Sequence, residues 1–231
     1  MKKIAFFDLD NTLYKGFSAQ DFFDLLAKKG YVTAEHKQRL LQLMTSYKSG
    51  SLSYAELTNQ GIQLVADIVA GTSVTEILAL KEEFVGNQDK FFSFVPDLLS
   101  LLNAADFQIY LVSGGASPAI QMLAETLGIT DYFASEFEIA ADSYTGTVIQ
   151  ILNHDAKQTL VEDILNSHAG DILSLGFGDS TGDVEMLSAV DKAFVINPHQ
   201  PEMTDLITAN NWQLVTEDTI IKQVQSVLPK L

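Results

Sequence analysis

The sequence predicts an α/β fold: a mostly parallel β-sheet wrapped by helices and interrupted, near its start, by an all-helical insertion. Three observations carry this. The runs "KIAFF", "QIYLVS", "DILSLGF" and "KAFVIN" are apolar, rich in β-formers and short enough to be strands. Amphipathic stretches precede the middle two, and strands alternating with helical patterns imply a parallel sheet. From residue 17 to about 92 the alternation stops, and "AQDFFDLLAKK", "AEHKQRLLQLMTSY", "SYAELTNQGIQLVADIVA" and "VTEILALKEEF" follow one another as helices.

In chain order, "KIAFF" ends abruptly at "DLDNT", and the insertion follows, its helices separated by "YKSGSLS" and "AGTS". "SFVPD" returns the chain to the core. "QIYLV" runs into "SGG", and "ADSYTGTV" at 141–148 is expected to be a turn between two short strands, a hairpin beside the sheet. "DILSLGF" runs into "GDSTGDVEML". The expected division is a core of residues 1–14 and 93–231 with a helical cap of residues 15–92.

With 231 residues, 47% of them hydrophobic, the chain can bury a core without staples. It has no cysteine, which excludes disulfides and thiolate chemistry and suits a reducing cytoplasm, the expected location. The apolar run Ile4–Phe7 is cut by Asp8, too short for a signal peptide, and no segment has the length to span a bilayer. A formal charge of -16 repels nucleic acid and anionic membranes, so neither is an expected partner. An anionic ligand would need a cation, a helix N-terminus or a metal ion to offset that field.

The polar clusters fall at corresponding places, directly after strands, where an open parallel sheet lines its ligand crevice. In "DLDNT", Asp8 and Asp10 are close enough to share a hard cation, although an Asx-turn closing the strand would use the same residues. A calcium loop is excluded, because it would need Gly at Leu13 and Glu at Ala19, or Gly at Val184 and Glu at Val190. In "GDSTGD", Ser180 to Asp183 matches a capping box, which leaves Asp179 unexplained; two acids four apart beside the first pair suggest magnesium. "SGGASPA" offers the Ser113 hydroxyl and the Gly114 and Gly115 amides as a phosphate seat, and is equally an ordinary turn. Lys157 falls in the first turn of a helix expected to be capped by Asp155, where the macrodipole disfavours a cation unless an anion partners it. The histidines have no ligand-like spacing, and neither a P-loop nor a Gly-x-Ser-x-Gly turn is present.

Read in order, "DLDNTL", "LVSGG", Lys157 and "GFGDSTGDVEML" resemble the haloacid-dehalogenase-like hydrolase superfamily. The position of the helical insertion, and "SGGASPAIQMLAETLGITDYFA" followed by "YTGTV", look most like its phosphoserine-phosphatase-like branch. The resemblance implies a Rossmann-like core with a helical cap and a magnesium-dependent phosphatase acting on a small phosphomonoester. It implies Asp8 as the nucleophile forming an aspartyl phosphate, and Asp10 as the acid that protonates the leaving oxygen and then activates water. Thr12, Ser113, Gly114 and Lys157 would bind phosphate. Magnesium would be held by the Asp8 carboxylate, the Asp10 carbonyl and Asp179, with Asp183 as a direct or outer ligand. The chemistry agrees, because a carboxylate attacks a phosphate dianion only when cations offset the repulsion.

Two positions depart from that branch. Phe17 stands where a glutamate recognises the substrate amine, and Gly182 stands where Asn is common. Phe17 is therefore expected to select a phosphoester without an amino-acid head group, with Asp21, one helical turn on, the close substitute for the missing acid. A phosphotransferase or mutase of the same fold, and a non-catalytic binding module, are the alternatives; intact Asp8 and Asp10 argue against the second.

Overall fold

The computed structural model describes residues 1–86 and 88–229; Asn87, in the expected cap, and Lys230 and Leu231, at the expected end of the core, lie outside the described residues. The chain begins with β1 (Lys2–Phe7) and passes at once into the helical insertion: α1 (Ser18–Lys28), α2 (Ala34–Lys48), α3 (Tyr54–Val69), α4 (Val74–Leu78) and α5 (Lys81–Val85). The α/β alternation then resumes with α6 (Val95–Ala104), β2 (Gln108–Ala116), α7 (Ser117–Leu127), β3 (Asp131–Ala140) and β4 (Ser143–Gln150). It continues through α8 (His154–Asn166), β5 (Ile172–Gly178), α9 (Val184–Ser188), β6 (Lys192–Ile196), α10 (Pro201–Asn210), β7 (Gln213–Val215) and α11 (Ile220–Val227).

Among the described residues seven strands form one sheet in the order β4-β3-β2-β1-β5-β6-β7. Only the β3–β4 pairing is antiparallel. The chain starts in the middle of the sheet, builds to one side through β2 and β3, then returns to β5 on the other side of β1. Such a reversal opens a crevice at the carboxyl ends of the central strands.

Burial on both faces explains why these strands are nearly all apolar. Ala5 and Phe7 join one buried cluster, and Ile4 and Phe6 join the other, as the two-residue period of a strand requires. On the first face Phe7 stacks on Phe177 at 4.2 Å and Phe177 on Phe194 at 4.9 Å, tying β1, β5 and β6 together.

The hairpin differs from the sequence expectation. Its turn is Ala141 and Asp142, both at positive φ (49° and 63°), while "SYTGTV" lies within β4. Alternating Tyr144, Val148 and Thr side chains favour strand there, and the two positive-φ residues supply the twist a tight hairpin needs. β3 is also longer than expected: it pairs in parallel with β2 before it turns antiparallel to β4. β7 was not expected at all.

The insertion forms a helical cap, part of which is zipped to that hairpin. Gly71 N–H donates to the Tyr144 carbonyl (2.8 Å), Tyr144 N–H to Thr72 (3.0 Å) and Val74 N–H to Asp142 (2.9 Å). Gly146 has φ +90°, and a Cβ there would lie 3.1 Å from the Ala70 Cβ, so the "YTGTV" glycine permits this close approach. Inside the cap Phe22 is fully buried edge-on to Phe84, with ring centroids 5.3 Å apart.

Candidate active site

The strand register brings the sequence clusters together. Phe7 pairs with Leu111 on β2 and with Phe177 on β5, so the residues that follow these three positions lie toward the same carboxyl edge of the sheet. Asp8 N–H completes the ladder to the Phe177 carbonyl at 2.9 Å, which fixes its side chain at the sheet's carboxyl edge. Asp8, Asp179 and Asp183 each present a carboxylate oxygen within 4.8 Å of the others, and all three are buried. Such a set of hard oxygens fits a divalent cation.

Among the described residues, Lys157 is the side-chain cation paired with these acids. Lys157 Nζ donates to Asp8 Oδ1 and to Asp183 Oδ1, both at 2.8 Å, from a buried position. Burial opposes its charge, but the Asp183 and Asp8 carboxylates outweigh that and hold its pKa above the ordinary lysine value. The other Asp183 oxygen accepts from the N–H groups of Asp179 (3.2 Å) and Ser180 (3.3 Å) and from Ser180 Oγ (3.2 Å). Ser180 and Asp183 thus make the expected capping box at a 3₁₀ turn, Thr181–Asp183, while Asp183 also faces the cluster. Gly178 permits this, since a Cβ there would stand 2.6 Å from that of Asp183.

Three carboxylates against one ammonium leave negative charge uncompensated. Burial first, then repulsion from Asp183, raises the Asp8 pKa well above the carboxylate range, with Lys157 pulling the other way. Burial and Asp183 likewise push Asp179 up to about 7. A protein cluster that stays partly protonated unless another positive charge arrives is suited to receiving a metal ion.

Asp10 sits on a tight turn in which the Leu9 carbonyl accepts from Thr12 (3.2 Å), Leu13 (2.8 Å) and Tyr14 (2.9 Å), with Asn11 at φ +57°. Asn is among the residues that tolerate this conformation, which accounts for its place in "DLDNT". Asp10 Oδ1 accepts from the Ser18 N–H at 2.9 Å, so a core carboxylate satisfies an otherwise orphaned amide in the first turn of the insertion. Burial raises the Asp10 pKa to about 6 even though that bond opposes the shift. Ser18 Oγ and Thr12 Oγ1 are buried without a hydrogen-bond partner among the described residues.

The remaining expected residues divide. Ser113 is buried at the end of β2, where its Oγ accepts from Gly115 N–H at 3.2 Å. The Gly114 carbonyl is held by Ser135 Oγ at 2.8 Å. Phe17 precedes Ser18 directly and is 61% exposed. Asp21 accepts from Tyr14 Oη and from Lys90 Nζ (2.8 Å), so its charge is matched within the chain. The helix carrying Lys157 is capped by Asn153, whose side chain accepts from Ala156 N–H at 3.0 Å, and not by Asp155. Asn and Asp cap about equally well; the backbone is extended at 153 and helical by 155, leaving Asp155 as a favourable first-turn acid. Sequence reasoning missed Ser18, for which "GFSAQD" gave the Ser-x-x-Asp cap pattern.

Comparison with known proteins agrees with this geometry. The family described as haloacid dehalogenase-like hydrolase matches residues 5–188. A phosphoserine phosphatase of Mycobacterium tuberculosis, SerB1, is 27% identical over 214 residues, covering 91% of this chain and 69% of that protein. The crystal structure of a protein of unknown function from Bordetella pertussis Tohama I superimposes with a TM-score of 0.81 at 26% identity, covering 94% of this chain and 99% of that one. A phospho-aspartyl intermediate analogue of phosphoserine phosphatase shares the fold, with a TM-score of 0.62 at 16% identity over 99% of both chains.

Proposed function

The chain belongs to the haloacid dehalogenase-like hydrolase family, and from that premise we propose that it hydrolyses a small organic phosphomonoester through an aspartyl phosphate on Asp8. The observation that carries this is the meeting of Asp8, Lys157, Asp179 and Asp183 in one buried cluster beside an Asp10 whose pKa is raised to about 6. A structural ion pair would need one acid for Lys157, whereas here two carboxylates accept from it and a third lies in the same cluster.

An Asp8 carboxylate oxygen forms the bond to phosphorus as the bond to the ester oxygen breaks. Asp10, protonated below about pH 6, gives its proton to that leaving oxygen. The Asp10 carboxylate then takes a proton from the water that attacks phosphorus, and the Asp8–phosphorus bond breaks to release inorganic phosphate. Lys157 neutralises phosphate charge, and Thr12 Oγ1 and Ser113 Oγ lie buried beside the strand ends as polar contacts for it. Asp8, Asp179 and the Asp10 carbonyl would hold magnesium, which supplies the further positive charge that keeps Asp8 ionised and phosphate electrophilic. Both Asp183 oxygens already accept hydrogen bonds, which suits it to orienting the cluster from outside.

Phosphate release from a panel of sugar, polyol, aryl and amino-acid phosphates, with magnesium and with excess chelator, tests this. Metal-dependent release that vanishes in Asp8→Asn is expected. Full activity in chelator, or wild-type turnover by Asp8→Asn, would refute it.

A further inference from the structure

Two segments would bring phosphate contacts to the site from different parts of the chain: Ser113 and Gly114 near the end of β2, and Lys157 in the first turn of α8. The sheet alone does not hold the first of them. β2 and β3 pair at Val112 with Phe133 and again at Ala116 with Ser135, so four steps along β2 match two along β3. The extra residues take Ser113, Gly114 and Gly115 out of register. A bulge of this kind re-aims side chains and deprives backbone groups of their ladder partners.

Ser135 supplies the partner that Gly114 lacks. It has no exposed surface, and its Oγ donates to the Gly114 carbonyl at 2.8 Å. The same oxygen accepts from the Leu152 N–H at 3.1 Å. The backbones it joins run close together, since a Cβ at Gly114 would stand 3.2 Å from the Leu152 carbonyl oxygen. Directly after Leu152, the Asn153 side chain caps α8 through the Ala156 N–H (3.0 Å), and the Asn153 carbonyl accepts from the Lys157 N–H at 2.9 Å. One buried hydroxyl therefore stands between Gly114 and the segment that enters the helix of Lys157. A hydroxyl can donate and accept at once, so a single serine satisfies both backbones, which no aliphatic residue can do.

We infer that Ser135 is a positioning residue for phosphate: its hydroxyl fixes where Ser113 and Gly114 stand relative to Lys157, so that both segments meet one phosphoryl group. This rests on the phosphatase function proposed above. Without the bridge, the Gly114 carbonyl and the Leu152 N–H are left unpaired, and the two segments shift to recover partners. A displacement of about 1 Å at a bound group costs on the order of a hundredfold.

Three variants test this. Ser135→Ala removes the bridge, Ser135→Cys keeps its shape with a much weaker donor and acceptor, and Ser135→Thr keeps the hydroxyl. KM and kcat for p-nitrophenyl phosphate, and affinity for inorganic phosphate by calorimetric titration, are measured with magnesium. Ser135→Ala and Ser135→Cys should raise KM and the phosphate Kd by roughly ten- to a hundredfold while kcat changes far less, and Ser135→Thr should stay near wild type. A serine that served only the fold would lower kcat by reducing the folded fraction and leave KM unchanged. That pattern, wild-type phosphate affinity in Ser135→Cys, or an equal loss in Ser135→Thr would overturn the proposal. Should Ser135→Ala fail to fold, Ser135→Cys decides. Hydrolysis of no ester by the wild type would defeat the phosphatase function instead, and the phosphate titrations would still decide the bridge; a wild-type protein that binds no phosphate would overturn it.

Discussion

The floor of the site, in the core, and the helical insertion that follows the sheet's first strand in sequence are made by opposite means. At the floor, Asp8, Lys157 and Asp183 are buried and bonded to one another, and each comes from the end of a strand or the start of a helix in the core. On the helical insertion, by contrast, Phe17 and Tyr54 are exposed and carry no charge. Cutting a phosphoester demands charges at fixed positions in a low dielectric, so the floor carries electrostatic strain that the surrounding sheet must absorb. Choosing among phosphoesters demands only surface, which a helical insertion can vary without disturbing that sheet.

The sharpest way to break this comparison is at Asp8. Asp8→Asn should lower turnover by on the order of ten-thousand-fold or more, since the proposed reaction forms its covalent intermediate on Asp8. In chelator it should also raise the melting temperature, because it removes one of three crowded acids. A variant that loses activity but is destabilised in chelator would show that the floor is not strained as described. Lys157→Met acts in the other direction on stability: it leaves Asp8 and Asp183 buried without their cation, at a cost of about 3–5 kcal/mol by denaturant unfolding. Asp10→Asn should cost on the order of a hundredfold in kcat, with the fold intact because an amide oxygen still accepts from Ser18 N–H.

Proton linkage separates the floor from an ordinary acidic surface. Asp10 and Asp179 have folded pKa values of about 6 and about 7, above the carboxylate reference of 3.8, so the folded metal-free state binds protons that the unfolded chain has released. Their contribution to stability is fully present below about pH 4 and is lost as pH rises through 6 to 7. Between pH 5 and pH 8 in chelator, stability should fall by on the order of a few kcal/mol, followed by thermal melts. Magnesium should reverse much of that loss at pH 8. A metal-free protein whose stability rises across the same interval would contradict the assignment.

The acid cluster was legible in the sequence for a physical reason, and Phe17 was singled out at the start of the insertion by its departure from the resembled pattern. "DLDNT", "SGG" and "GDSTGD" each follow a strand, and a parallel sheet with its order reversing at β1 must bring such ends together. Lys157 could be placed only by resemblance, since its partners lie 149 and 26 residues away. The hairpin was seen but its turn was misplaced by a glycine, Gly146, that serves contact with Ala70 and not a reversal of the chain. Three-residue β7 offered too few positions for a period to register.

The smallest expected effect sharpens the comparison within a single helix. The run "FSAQDFF" holds Phe17, Phe22 and Phe23, and the helical period allows only some of them to face the cap's own core. Phe22 does so, fully buried against Phe84, and Phe22→Ala should cost about 3–5 kcal/mol through lost transfer energy and the cavity left behind. Phe17, 61% exposed and ahead of the first helical turn, loses little when truncated, and Phe17→Ala should change stability by roughly 0.5 kcal/mol or less. Urea unfolding of the two variants reads both values on one scale. A Phe17→Ala cost approaching that of Phe22→Ala would make Phe17 a packing residue of the cap and remove it as a candidate for contact with substrate.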